Sequence, residues 1–300
     1  MKKSKGYLTA SMLIFGSLGL FVRGIDLSSG QIALGRGVIG SLFILAVGLL
    51  SRKKLSWKAI RPNLILLISS GTAIGFNWIF LFEAYRYTTI SNATLSYYFA
   101  PVFIMLLAPL VLKERATLKT VICIAGAVVG MFLIIGVGGG PGKNHLLGIG
   151  FGLLAAVLYA SDILMNKFIK GLAGLETTIM QLGTASLVLL PYILLTEKIQ
   201  FTHIDNKSWI LLLVVGVLHT GIGFVFYFSG IKNLTGQTIA VLCYIDPISA
   251  IIMSNLFFKE QLTAIQILGG ILILGATFLK EFDYKKVYRR GKVWWRSEKL

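Results

Sequence analysis

Asp246 stands inside an apolar run, one residue before Pro247, with no residue of opposite charge close to it in sequence. A carboxylate at bilayer mid-depth costs at least about 2.5 kcal/mol, so it must face protein, a partner or water. Such a group can carry a proton or meet the amine of a solute. Tyr97, Tyr98 and Tyr244 lie about one helical turn or less before the two prolines Pro101 and Pro247. Asn77, Trp78, Tyr159, His219 and Tyr227 are further polar or aromatic residues within apolar runs. Taken singly, such aromatics are packing or interface residues. As a set with Asp246 they describe a pocket of rings and hydroxyls suited to a small organic solute with an amine or a flat group.

Three other charges fall within apolar runs. Asp162 has Asn166 and Lys167 about one turn further along the same face. It is expected to cap that helix end, with a coupling role as the functional alternative. Arg36 and Glu83 sit at matching depth in the second and third helices and are expected to form an ion pair bracing them. The chain shows no Ser-His-Asp set, no His-x-x-His and no clustered carboxylates. A membrane enzyme is therefore disfavoured, and neither a cofactor nor a metal is expected. Cys123 and Cys243 both lie within apolar runs and have no metal-ligand spacing.

The elements that carry these residues are membrane helices. With 56% hydrophobic residues, 14% charged residues and a mean hydropathy of +0.80, the chain does not read as a water-soluble domain. Apolar stretches of about 20 residues recur between short polar breaks. Ten helices are expected near 7–22, 31–50, 62–82, 90–112, 117–136, 146–168, 176–195, 208–229, 236–258 and 263–280. The first could be mistaken for a signal peptide, but no small-x-small cleavage site follows it.

An internal repeat organises the chain. Sliding the sequence by 146 positions aligns Tyr98 with Tyr244, Pro101 with Pro247, Lys113 with Lys259 and Glu114 with Glu260. The shift yields 12 identities over the 60 positions 75–134, about twice what apolar composition alone would give. Five helices per half is an odd number, so the second half enters the membrane from the opposite side. The expected fold is thus all-α, ten transmembrane helices as two inverted five-helix repeats. Residues 1–136 form the first repeat, 137–145 a Gly-rich connector, 146–280 the second repeat and 281–300 a basic tail. The connector's GGGPGK lacks the Ser/Thr and the preceding strand of a phosphate loop.

Alternation places 22 Lys and Arg on one side of the membrane and 6 on the other. The positive-inside rule then puts both termini in the cytoplasm of a multi-pass cell-membrane protein. The net charge of +17 invites a nucleic-acid partner, but the basic residues sit in alternate loops and the tail, which excludes it. The expected partners are a small-molecule substrate and the lipid bilayer, with proton coupling an option. Lys285, Arg289 and Arg290 interleaved with Trp294 and Trp295 suit anionic headgroups. Gly71/Gly75, Gly126/Gly130 and Gly148/Gly152 suit close helix packing within the chain, and a homodimer face is the weaker option beside a monomer. Pro101 and Pro247 each delete a helix hydrogen bond and mark a central kink or gate.

The run FEAYRYTT at 82–89, followed by Ser91-Asn92-Ala93, Pro101 and Lys113-Glu114, resembles the signature of EamA-type permeases of the drug/metabolite transporter superfamily. Arg36 matches an arginine common in the second helix of that family. The resemblance runs to about Lys280 and recurs in both halves. It implies a central cavity lined by helices one, three, four, six, eight and nine, with helices five and ten peripheral. YddG-like members export amino acids and related metabolites, so the resemblance implies an exporter of such solutes by alternating access. A proton-coupled drug or organic-cation efflux protein is the alternative. Glu83 departs from the neutral or aromatic residue of many members, which keeps a particular substrate from being carried over.

Overall fold

Lipid offers no partner to a bare peptide N–H or C=O, so apolar runs of this length satisfy their hydrogen bonds internally as helices. In the computed structural model every described element is helical; it describes residues 2–50, 57–111, 117–136, 144–172, 174–197, 205–231, 242–243 and 245–281. The helices are α1 (Lys2–Gly16), α2 (Leu18–Arg23), α3 (Ser29–Leu50), α4 (Trp57–Ile60), α5 (Leu64–Tyr87), α6 (Ile90–Tyr97) and α7 (Ala100–Val111). They continue as α8 (Leu118–Gly136), α9 (His145–Asn166), α10 (Gly174–Thr196), α11 (Asn206–Val214), α12 (Gly223–Ile231), α13 (Ile245–Phe258) and α14 (Ala264–Glu281). Among the described residues, 7 stretches are long and apolar enough to cross a membrane, and α8, α13 and α14 add shorter apolar helices. Leu49, Leu50, Ile65 and Leu195 are among the apolar side chains left facing outwards, as a lipid-facing surface requires.

Three interruptions shape the interior. Pro101 lacks an N–H, so the expected 90–112 helix ends at Tyr97 and restarts at Ala100, with Tyr98 and Phe99 at the break. Pro247 sits in the first turn of α13, where a missing N–H costs nothing. Asp246 therefore stands in a first helical turn rather than near a helix centre, the position read from the sequence. The third interruption gave no sequence signal: between α11 and α12 the chain winds as a π-helix over Val215–Ile222.

Packing divides into a body and a flank. The body joins α5 with α9 and α10, α3 with α10 and the π-helix, and α1 with α12 and α13. Its core is built on Phe82, Leu189, Ile193, Ile90 and Leu212. The flank pairs α8 with α14 around Cys123, Ala127 and Ile273, matching the peripheral place expected for the fifth and tenth helices. Gly148 and Gly152 of α9 lie against Thr88 and Ser96, as their spacing suggested, whereas Gly126 faces open space.

Gly16 makes the closest approach near the site. A Cβ there would collide with Ser249 Oγ and lie 2.6 Å from the Asp246 carbonyl. Gly16→Val should cost about 1–3 kcal/mol by forcing α1 off α13, read as a lower thermal midpoint in detergent. Gly150→Val is the control and should leave the midpoint unchanged, because a Cβ at Gly150 meets nothing within 4 Å.

Candidate solute-binding cavity

The break between α6 and α7 turns Tyr97 and Tyr98 inward, and the Tyr98 hydroxyl donates to the Asp246 carboxylate from α13. Both residues line a cavity of about 580 Å³. Tyr97 stacks on Tyr159 of α9 at 5.3 Å and meets Tyr98 edge-on at 5.8 Å. On the other wall, Phe15 of α1 lies 5.5 Å from Phe224 and 6.4 Å from Tyr227 of α12. The result is an acid set among aromatic faces, an arrangement that attracts an organic cation.

Polar groups fix the remaining walls. Asn77 Nδ2 donates to the Ala155 carbonyl at 2.6 Å, tying α5 to α9 at cavity depth. Asp162 accepts from Asn166 Nδ2 at 2.7 Å and from Gln181 Nε2 at 3.4 Å, and Gln181 Nε2 also reaches Ser70 Oγ at 2.8 Å. Asn166 is one of the two partners expected for Asp162. All of Asp162, Asn166 and Gln181 line the same cavity as Asp246.

The structure gathers Asp246, Asn77, Trp78, Tyr97, Tyr98, Tyr159 and Tyr227 around this one space. Two other readings of the sequence change. Arg36 and Glu83 do not pair: Glu83 reaches Arg86 at 3.4 Å, because residues three apart share a helix face and this face points away from the cavity. Arg36 instead turns inward, donating from Nε to Thr220 Oγ1 at 2.7 Å with its guanidinium 4.4 Å above the Trp78 ring. His219 is fully buried outside the cavity lining, with Nε2 3.0 Å from Ser17 Oγ and its ring edge-on to Phe21. The π-turn points it at the joint between α1 and α2, where it packs rather than lining the cavity. Tyr244 lies outside the described residues.

Two helices beyond the expected six also contribute: Arg36 comes from the second expected helix, and Thr178 and Gln181 from the seventh. Gln181 was legible as a polar residue inside an apolar run.

The two ends of the molecule differ. At one end Arg23 pairs with Glu260 and donates from Nη2 to the Thr88 carbonyl at 2.9 Å. Glu260 also accepts from the Ile90 N–H at 2.9 Å and from Ser254 Oγ. Thr88 Oγ1 lies 2.7 Å from His145 Nδ1, and Phe258 packs beneath the Arg23 guanidinium. Neither Arg23 nor Glu260 lines the cavity. His145 begins α9, and the far end of that helix lies about 33 Å away. The cavity lining reaches that far end at Asn166, Ile169 and Leu172.

Residues 5–136 and 146–280 each match the EamA-like transporter family. The chain belongs to that family. It is 29% identical to the uncharacterized transporter YxxF of Bacillus subtilis (strain 168), over 95% of this chain and 90% of the relative. An uncharacterized transporter of Archaeoglobus fulgidus is 27% identical over 93% of this chain and 96% of its own length. Protein PecM of Dickeya dadantii is 25% identical over 64% of this chain and 65% of that protein. A crystal structure with 17% sequence identity superposes with a TM-score of 0.62 over 93% of this chain and 96% of its own, a likeness of fold. This EamA-family chain is therefore a multi-pass membrane transporter. Its family points to transport rather than catalysis.

Proposed function

We propose that the protein exports small amine-bearing metabolites, amino acids or their analogues, across the cell membrane by alternating access. One observation carries this reading: the Asp246 carboxylate, held by the Tyr98 hydroxyl, faces an aromatic cavity in the middle of the helix bundle. An ammonium group between that carboxylate and the Tyr97 and Tyr159 rings meets both an ion pair and π-faces. The two matched segments support the reading of two repeats rocking about Pro101 and Pro247. The count of Lys and Arg assigns the Leu172 end to the cytoplasm and the Arg23 end to the outside. In that frame the cavity is loaded from the cytoplasm, while the Arg23–Glu260 contact keeps the outer side shut.

Reconstituted vesicles test the proposal. Labelled amino acids should leave loaded vesicles chemically unchanged, and at least about tenfold faster than from vesicles without protein. Efflux of hydrophobic amines or quaternary cations with no amino-acid flux would support the alternative, proton-coupled cation efflux through the same carboxylate. Chemical conversion of the solute would point to an enzyme.

A further inference from the structure

We propose that Arg36 is the carboxylate subsite of this cavity, so that a zwitterion is held with its acid group on the guanidinium and its ammonium on Asp246. The inference rests on the amino-acid reading above and names the group that would separate amino acids from plain amines. Arg36 is 4% exposed and lines the cavity. Its guanidinium is clamped rather than free: Nε is spent on Thr220 Oγ1, and the flat face rests on Trp78 at 4.4 Å and Phe82 at 5.8 Å. Thr220 in turn donates to the Val215 carbonyl at 3.1 Å, so the tether is itself fixed by the π-helix.

The two Nη groups have no hydrogen-bond acceptor among the described residues, and no carboxylate pairs with them. A buried cation without a counter-ion is costly in a membrane interior, which favours an anion arriving from the cavity. The planar fork of an arginine matches a carboxylate with two parallel hydrogen bonds. Asp246, Tyr85 and Tyr97 line the same space. A cation site and an anion site thus share one chamber, separated by aromatic surface. That pattern complements an amino acid better than it does an organic cation, which would bring its charge towards Arg36.

The test uses the full chain in proteoliposomes and a labelled panel of L-leucine, L-phenylalanine, L-glutamine and L-lysine, each beside its decarboxylated amine. The wild type should move at least one acid about tenfold or more faster than its amine. Arg36→Gln should bring that ratio to about one by slowing the acid and sparing the amine. If Arg36→Gln does not reconstitute, Thr220→Val serves instead; it keeps the guanidinium, removes its tether and should lower the ratio severalfold. An unchanged ratio in the variant that reconstitutes overturns the inference. A wild type that moves acid and amine equally fast overturns it too, yet leaves a carrier of amines standing. Absence of any flux from the panel removes the amino-acid reading and this subsite together.

Discussion

Asp246→Asn is expected to slow the export of amine-bearing solutes by about ten- to a hundredfold. Asparagine keeps the volume of the side chain and an oxygen for the Tyr98 hydroxyl, so the cavity should stay intact. What disappears is the charge. A hydrogen bond to a charged group is worth about 1.5–3 kcal/mol, and each 1.4 kcal/mol is a factor of ten in binding. Flux of labelled solute from vesicles, measured beside a thermal midpoint to show the fold is unchanged, gives the answer. Undiminished flux with the variant would mean that the carboxylate is a packing residue and that the amine, if there is one, is read elsewhere.

Glu260→Ala should release the stitched end. This one carboxylate receives Arg23, the Ile90 N–H and Ser254 Oγ, which come from α2, α6 and α13. Removing one partner of a buried pair costs about 3–5 kcal/mol. Arg23 has 28% of its side chain exposed, so solvent screening lowers that figure. Even about 1.4 kcal/mol shifts the balance between closed and open tenfold. Cys243 is a built-in reporter, being a free thiol on the cavity wall. A membrane-impermeant thiol reagent added from the Arg23 side should label it about tenfold faster in Glu260→Ala than in the wild type. Arg23→Ala should fall between, because the Ile90 and Ser254 contacts to Glu260 survive. Equal labelling of all three proteins would show that another layer closes this end.

The parts of the structure that were legible in the sequence are those where lipid leaves few choices. Apolar length fixed the helices, and the prolines marked where they begin or break, as at Tyr98 and Ile245. An acid and several aromatics at one depth pointed to a shared space because burying them elsewhere is costly. Arg36 misled for the same reason: at equal depth Glu83 is the economical partner on paper, and nothing in the sequence says which way each faces. Thr220 and the Trp78 ring supply the alternative only after the fold brings α3 beside the π-helix. The Arg23–Glu260 contact was hidden differently. Both residues end apolar runs and read as solvated loop charges, and they are 237 positions apart in the chain. His219 looked like a cavity residue because an ordinary α-helix was assumed between 208 and 229.

That winding also sets the azimuth of an entire wall. A π-turn holds more residues than an α-turn, and neighbouring residues on an α-helix differ by about 100° around its axis. Rewinding the same residues as α, with none removed, would rotate everything after the segment by about that angle. Phe224 and Tyr227 would then swing off the chamber together, although neither had been altered. A slack of one residue between α11 and α12 thus selects which aromatic faces a passing solute meets.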